Sequence, residues 1–262
     1  MTYTLYAGCS YTAGTGFLLG KNEPCLWVNQ LHDRLFAHTT KLNVGKGGRS
    51  NAGIFQDTVK SLLSYPVEFA IVAWTDYPRY EIDLGFESYT TTQHLIPNSP
   101  CTDHNLNDIS YSAQYLNSIR DRVTTLSHPC SDITHLIECA NIIKRLAKKV
   151  GTQVFFVNGL ATWDQDFFVR QTDVMPCNYS EYTKKILNVD NRDDSEIFLL
   201  YNKMHDNFDQ AGGICLSDWL NLYSSLKQCK IDVNPDYTHP GIHSNDRYTD
   251  MLANALIPFI KQ

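Results

Sequence analysis

Phe69-Ala70-Ile71-Val72-Ala73-Trp74 is a near-continuous apolar run of strand length. Its β-branched and aromatic content suits a strand covered on both faces, the setting of a parallel sheet. Upstream, Ile54, Phe55, Thr58, Val59 and Leu62 recur at helical spacing, which predicts a helix over 51–63. Before that, 41–44 reads as a short strand running into Gly45-Lys46-Gly47-Gly48, too glycine-rich for the interior of an element and therefore a loop. Further back, Pro24 suits a first helical turn, and Val28, Leu31 and Leu35 extend it into a helix over 22–37. Residues 3–7 form another short apolar run and read as the first strand.

Downstream of Trp74 the periodicity is lost. The stretch 76–129 is polar, contains Thr90-Thr91-Thr92, Pro97 and Pro100, and leaves room for one short helix over 111–123. The clearest helix follows over 132–150, with Leu136, Ala140, Ile143, Ala147 and Val150 as its stripe. Lys144, Arg145, Lys148 and Lys149 crowd the end that favours cations, and Gly151 supplies the stop. A fourth strand is expected over 154–157. A second excursion, 160–234, holds helical patterns over 197–208 and 217–228. The last helix is expected over 244–260, capped by Ser244, with Tyr248, Met251, Leu252, Ala255, Leu256 and Phe259 on one face.

Strands alternating with helices argue for an α/β protein, a parallel sheet with helices on both faces. One domain over 1–262, with insertions at 77–131 and 160–234, is the simplest organisation. The length allows a sizeable core. A net charge of −6 gives no electrostatic argument for nucleic acid or an anionic membrane. The eight cysteines form no C-x-x-C pair, so the common zinc signatures are absent and no metal or cofactor is expected. No secretory signal or bilayer-spanning run is visible. A cytoplasmic protein with reduced thiols is the expectation.

The first strand ends in Ala7-Gly8-Cys9-Ser10-Tyr11-Thr12-Ala13-Gly14. A serine on a turn at the carboxyl edge of a sheet stands where open α/β folds place their ligands. The glycines leave room for a sharp turn and for a substrate to approach the backbone. This predicts a presented serine, or alternatively a capping serine at a plain strand–helix joint. Near the other end, Asp236-Tyr237-Thr238-His239-Pro240-Gly241 precedes the last helix. A nucleophilic serine needs a base, and the base needs an orienting acceptor. His239 and Asp236 on one tight loop can supply both, with Pro240 stiffening it.

The order G-x-S-x-x-x-G after strand one, N-x-G-x-x-G from Asn43 to Gly48, and D-x-x-H-P before a C-terminal helix resembles the SGNH/GDSL hydrolase superfamily. The resemblance implies a three-layer flavodoxin-like sandwich. It implies Ser10 as nucleophile, His239 as base and Asp236 as its partner. The amides of Ser10 and Gly48 become oxyanion-hole donors. It implies a serine esterase or deacylase that cleaves an acyl or acetyl ester of a carbohydrate or small metabolite through an acyl-enzyme. An acyltransferase using the same triad is the related alternative.

Two positions depart from the pattern. Cys9 replaces the usual acid of the first block. Asp76, in Trp74-Thr75-Asp76-Tyr77-Pro78-Arg79-Tyr80-Glu81, stands where the family has an oxyanion-hole asparagine. An ionised carboxylate only accepts hydrogen bonds and would repel an oxyanion. Either Asp76 turns away, or it stays protonated, or Thr75 or Arg79 supplies the donor. The contrasting reading is a binding or assembly protein that kept the fold and lost that donor. The W-T-x-x-x-R-x-E shape resembles a divergent branch met in bacteriophage genomes.

Arg49 and Arg79 each follow a block that reaches the site. They can grip a substrate carboxylate or phosphate, or pair with acids of the chain. Trp74, Tyr77 and Trp163 can line a pocket or pack in the core. His243 lies too far from Asp236 in sequence to replace His239, and His94 and His104 have no metal-ligand spacing.

Overall fold

A computed structural model describes residues 1–15, 23–75, 79–83, 92–95, 104–106, 109–126, 129–159, 213–214 and 239–260. The first half contains β1 (Tyr3–Ala7), α1 (Ser10–Ala13), α2 (Trp27–Leu31), β2 (Thr40–Asn43), α3 (Asn51–Ser64) and β3 (Val67–Trp74). Two short antiparallel pairs follow, β4 (Tyr80–Asp83) with β5 (Thr92–Leu95) and β6 (His104–Leu106) with β7 (Ile109–Tyr111). Then come α4 (Ala113–Leu126), α5 (Pro129–Val150), β8 (Gln153–Asn158), β9 (Gly213–Ile214) and α6 (Ile242–Ile260).

The main sheet runs β2-β1-β3-β8-β9 with every pair parallel. This is the flavodoxin-like order. The chain steps outward from β1 to β2, then crosses back to lay β3 on the other side of β1. The order reverses between β1 and β3, and the crevice at their carboxyl ends is where such sheets bind ligands.

Side-chain alternation assigns each strand residue to one of two cores. Leu5, Ala7, Ala70, Val72, Trp74, Val154 and Phe156 face α3 and α5, meeting Ile54, Leu62, Leu136, Ala140, Ile143 and Ala147. Tyr6, Phe69, Ile71, Ala73, Phe155 and Val157 face the other way, meeting Trp27, Val28, Leu31 and Phe36 beside α2 and Tyr248, Leu252 and Leu256 of α6. Because β1, β3 and β8 are covered on both sides, their sequences are apolar at almost every position.

Four differences from the expected pattern have physical reasons. The helix expected over 22–37 is divided: a short turn at Glu23–Cys25 precedes α2, and the chain then widens to i→i+5 pairing over His32–Phe36. The polar stretch after β3 holds two hairpin-like pairs, too short for periodicity to reveal. β9 is only Gly213–Ile214 and carries no pattern of its own. Finally, the buried face of α6 is Ser244, Asn245, Tyr248, Thr249, Leu252, Ala253 and Leu256, whereas Phe259 is exposed. The apolar-only reading is rotated because three polar residues belong to that face, and Ser244, expected as the cap, lies within the helix, which begins at Ile242. Val150 is exposed in the same way at the end of α5. The helices expected over 197–208 and 217–228 lie outside the described residues.

Candidate active site

Ser10 opens α1 immediately after β1. Thr12 N and Ala13 N both donate to Cys9 O at 3.0 Å, and Thr15 N donates to Ser10 O at 3.0 Å. Gly14 closes the turn at φ 77. Gly8 is compulsory here: a Cβ would stand 2.1 Å from Thr12 Oγ1 and 3.1 Å from Ala73 O. Cys9 is wholly buried, while Ser10 keeps 8% of its surface, so of the two neighbours only the serine has any access. That 8% corrects the expectation of an openly presented serine. The first residue of so tight a turn lies close against its own backbone.

The loop after β2 is sewn to this turn. Asn43 Nδ2 donates to Thr12 O at 2.9 Å and Lys46 N donates to Gly8 O at 3.1 Å. Gly45 N donates to Asn43 Oδ1 at 2.9 Å. A Cβ on Gly45 would stand 2.7 Å from Ala13 N and 2.9 Å from Thr12 C, so backbone packs directly on backbone. Gly48 follows at φ 71, in the left-handed region that favours glycine, and its lack of a Cβ leaves its amide without a side chain of its own.

Arg49 is held by two carboxylates. Its Nε donates to Asp57 Oδ2 at 2.8 Å and its Nη1 to Glu81 Oε2 at 2.6 Å. Lys46 Nζ reaches the other oxygen of Asp57 at 3.1 Å. Glu81 Oε1 accepts from Ser50 N at 2.6 Å, and Ser50 Oγ accepts from Gly53 N at 3.1 Å. The Glu81 carboxylate therefore stands at the amino end of α3, where the helix dipole favours an anion.

At the end of β3, Trp74 and Thr75 are fully buried. Trp74 stacks on Phe156 with centroids 5.7 Å apart and packs into the α3/α5 core. The Asn51 amide grips the backbone of Thr75, accepting from its N at 2.9 Å and donating to its O at 3.1 Å. Arg79 Nη1 is buried with no hydrogen-bond partner among the described residues, as are Trp74 Nε1, Thr75 Oγ1 and Thr12 Oγ1. Asp76, Tyr77, Trp163 and Asp236 lie outside the described residues.

His239 reaches the same edge from the other end of the chain. Its ring meets that of Tyr11, the residue after Ser10, edge to face with centroids 5.4 Å apart. Pro240 and Gly241 are buried behind it, and α6 begins at once. Asn245 Nδ2 donates to Gly241 O at 2.8 Å and to Pro240 O at 3.3 Å. Its Oδ1 accepts from Trp27 N at 3.0 Å, capping α2 from a distance. Trp27 Nε1 donates to Tyr11 O at 3.1 Å. His243 points to the surface, 3.9 Å from the Asp246 carboxylate.

Trp27, Asn51 and Asn245 carry no expectation from the sequence, because none belongs to a recognisable motif. One signal was available: Asn245 shares the helical face of Tyr248, Leu252 and Leu256, and a polar residue on a buried face calls for a partner. Among the described residues, no group of three or more His, Cys, Asp or Glu could hold a metal ion, and no helix is long and apolar enough to cross a membrane.

No family model matches the chain, and no curated protein matches it. Several solved structures are similar to it. One is TesA, at 12% identity and TM-score 0.47, covering 98% of this chain and 99% of that one. Another is a proposed lipolytic protein of the G-D-S-L family from Desulfitobacterium hafniense, at 8% identity and TM-score 0.43, covering 98% and 100%. A third is a GDSL-like lipase from Bacteroides thetaiotaomicron, at 10% identity and TM-score 0.42, covering 99% and 88%.

Proposed function

We propose that the chain is a serine esterase or deacylase of SGNH type. The observation that carries this reading is the contact between the His239 and Tyr11 rings, which joins two segments far apart in sequence beside Ser10 at the sheet's switch point. In this reading His239 takes the Ser10 proton as Oγ attacks an ester carbonyl, and Asp236 orients the imidazole and stabilises its charged form. The tetrahedral oxyanion is met by the amides of Ser10 and Gly48. One such donor contributes about 3 kcal/mol in the transition state. His239 then protonates the leaving alcohol, and water releases the acyl group by the reverse sequence. The substrate is an acyl or acetyl ester of a carbohydrate or small metabolite.

We assign Arg49 a bracing role, since its guanidinium is engaged by Asp57 and Glu81. Arg79, whose buried Nη1 has no partner among the described residues, is the cation assigned to an anionic group on the substrate. Trp74 is assigned to the core. In the sequence pattern Asp76 stands where a third oxyanion donor is expected, so Asp76→Asn is expected to raise turnover of p-nitrophenyl acetate. A loss instead would give the aspartate a positive role.

The decisive experiment is labelling with a fluorophosphonate alongside hydrolysis of p-nitrophenyl acetate. Labelling and turnover are expected in the intact chain and absent in Ser10→Ala. Labelling that survives the alanine change removes Ser10 as nucleophile. An intact chain that neither labels nor turns over is a binding or assembly protein. Faster release to added alcohols than to water marks an acyltransferase.

A further inference from the structure

Asn245 and Trp27 close a ring of contacts around the candidate site. Ser10 leads to Tyr11, whose carbonyl accepts from Trp27 Nε1. The backbone N–H of Trp27 donates to Asn245 Oδ1, and Asn245 Nδ2 donates to the carbonyls of Pro240 and Gly241. Those residues follow His239, whose ring returns to Tyr11. The circuit joins two neighbouring elements near the start of the chain to a third more than 200 residues away, and each polar link has a backbone group at one end. Backbone links fix the path of the chain more firmly than contacts between flexible side-chain tips. Asn245 is 1% exposed and Trp27 also 1%, so water does not compete for these bonds. Trp27 is further wedged against Tyr6 at 6.0 Å and Tyr248 at 5.3 Å, both edge to face.

We propose that Asn245 is the positioning residue of this site, setting the His239 loop against the Ser10 turn through Trp27. The proposal rests on the hydrolase reading for its catalytic consequence, although the positioning itself does not. An asparagine suits the task because one side chain must accept from Trp27 N–H and donate to two carbonyls. Aspartate keeps the acceptor and loses the donor. Leucine keeps the volume and loses both. A displacement of His239 by about 1 Å is enough to cost on the order of 100-fold in rate.

The test compares the intact chain with Asn245→Asp and Trp27→Phe at temperatures well below their melting points. The first readout is the nuclear Overhauser cross-peak between the Tyr11 and His239 rings, which needs no activity. The second is kcat and KM for p-nitrophenyl acetate. Asn245→Asp is expected to weaken or abolish the cross-peak and lower kcat about 100-fold, with KM little changed. Trp27→Phe keeps the Asn245 bond to the backbone N–H and an aromatic ring, and loses the Nε1 donor together with part of the indole's packed volume. It is expected to lower kcat about tenfold, the equivalent of one lost hydrogen bond. Should Asn245→Asp fail to fold, Asn245→Ala, which removes both links without burying a charge, takes its place under the same two readouts. A folded variant that keeps both the cross-peak and kcat overturns the proposal. An intact chain without esterase activity sinks the hydrolase reading alone, and the cross-peak still decides whether Asn245 sets the His239 loop.

Discussion

The two helical layers of the sandwich are built from different chemistry. The α3/α5 side is mainly aliphatic, with Leu62, Leu136, Ala140, Ile143 and Ala147 against Ala70, Val72 and Val154. The α2/α6 side is aromatic and partly polar: Tyr6, Trp27, Phe36 and Tyr248 pack there, with Asn29, His32, Asn245 and Thr249 buried among its elements. Aliphatic packing is non-directional and tolerates small sliding. A buried amide has fixed partners and fixes register. The α2/α6 layer, which carries the His239 loop, holds its buried amide between two helices, whereas the buried hydroxyls of Thr58 and Ser61 in the α3/α5 layer bond within their own helix and leave its packing on the sheet mainly aliphatic.

The largest effects that sharpen this contrast come from matched truncations. Ile143→Ala and Leu252→Ala each remove a fully buried aliphatic side chain, and each is expected to cost about 3 kcal/mol in chemical denaturation. On the proposed hydrolase reading their effects on kcat are expected to differ: Leu252→Ala, in the helix that follows His239, is expected to lower kcat, and Ile143→Ala to leave it unchanged while the protein stays folded. Equal kcat losses in both would dissolve the distinction between the layers.

Next comes the ionic brace at the amino end of α3. Glu81→Gln leaves Arg49 with Asp57 alone and weakens the contact to Ser50 N, at an expected cost of about 2 kcal/mol. High salt rescues none of it if the pair is as enclosed as the geometry implies. A variant as stable as the parent would mean that the carboxylate contributes no more than a neutral amide.

A smaller effect tests the polar side through pH. Burial pulls the His32 imidazole below its ordinary value of 6.5, Lys41 adds in the same direction and Asp33 opposes. The unfolded chain therefore binds the proton more readily than the folded one. This contribution to stability is complete above about pH 6.5 and is lost as pH falls from there through the lower folded value. Melting temperatures measured across that window are expected to fall less steeply in His32→Leu than in the parent. Parallel curves would remove His32 from the acid response.

The smallest effect has the opposite sign. The Tyr6 hydroxyl is buried without a hydrogen-bond partner among the described residues, and burial, with Asp33 adding, raises its pKa well above the usual phenol value. Tyr6→Phe removes an unsatisfied group and keeps the ring contacts with Trp27 and His32. A gain of up to about 1 kcal/mol is expected in thermal or chemical denaturation. A clear loss would place a partner on that oxygen.

The sheet is legible in the sequence because its central strands are buried on both faces. Phe69 to Trp74 and Val154 to Val157 have no polar residue to blur them, and α3 and α5 have regular stripes. The ends of β1 and β2 are legible through glycine. What stays hidden depends on long-range partners. Nothing near Trp27 announces that its N–H is capped by a side chain 218 positions away. Nothing near Arg49 announces Glu81, which arrives on a short strand in a stretch without periodicity. Asn245 is hidden for a different reason: reading α6 by its apolar residues alone rotates the helix toward Met251 and Phe259 and passes over a buried amide.

The absence of side chains at 8 and 45 has a consequence for anyone trying to redesign this turn. At Gly8 one added carbon would overlap Thr12, and at Gly45 it would strike the main chain of Thr12 and Ala13. A randomised library at these two positions would be filtered by volume before any chemistry was sampled, and the survivors would carry glycine at both. Changing residue 10 is therefore a simpler engineering problem than altering the turn that carries it.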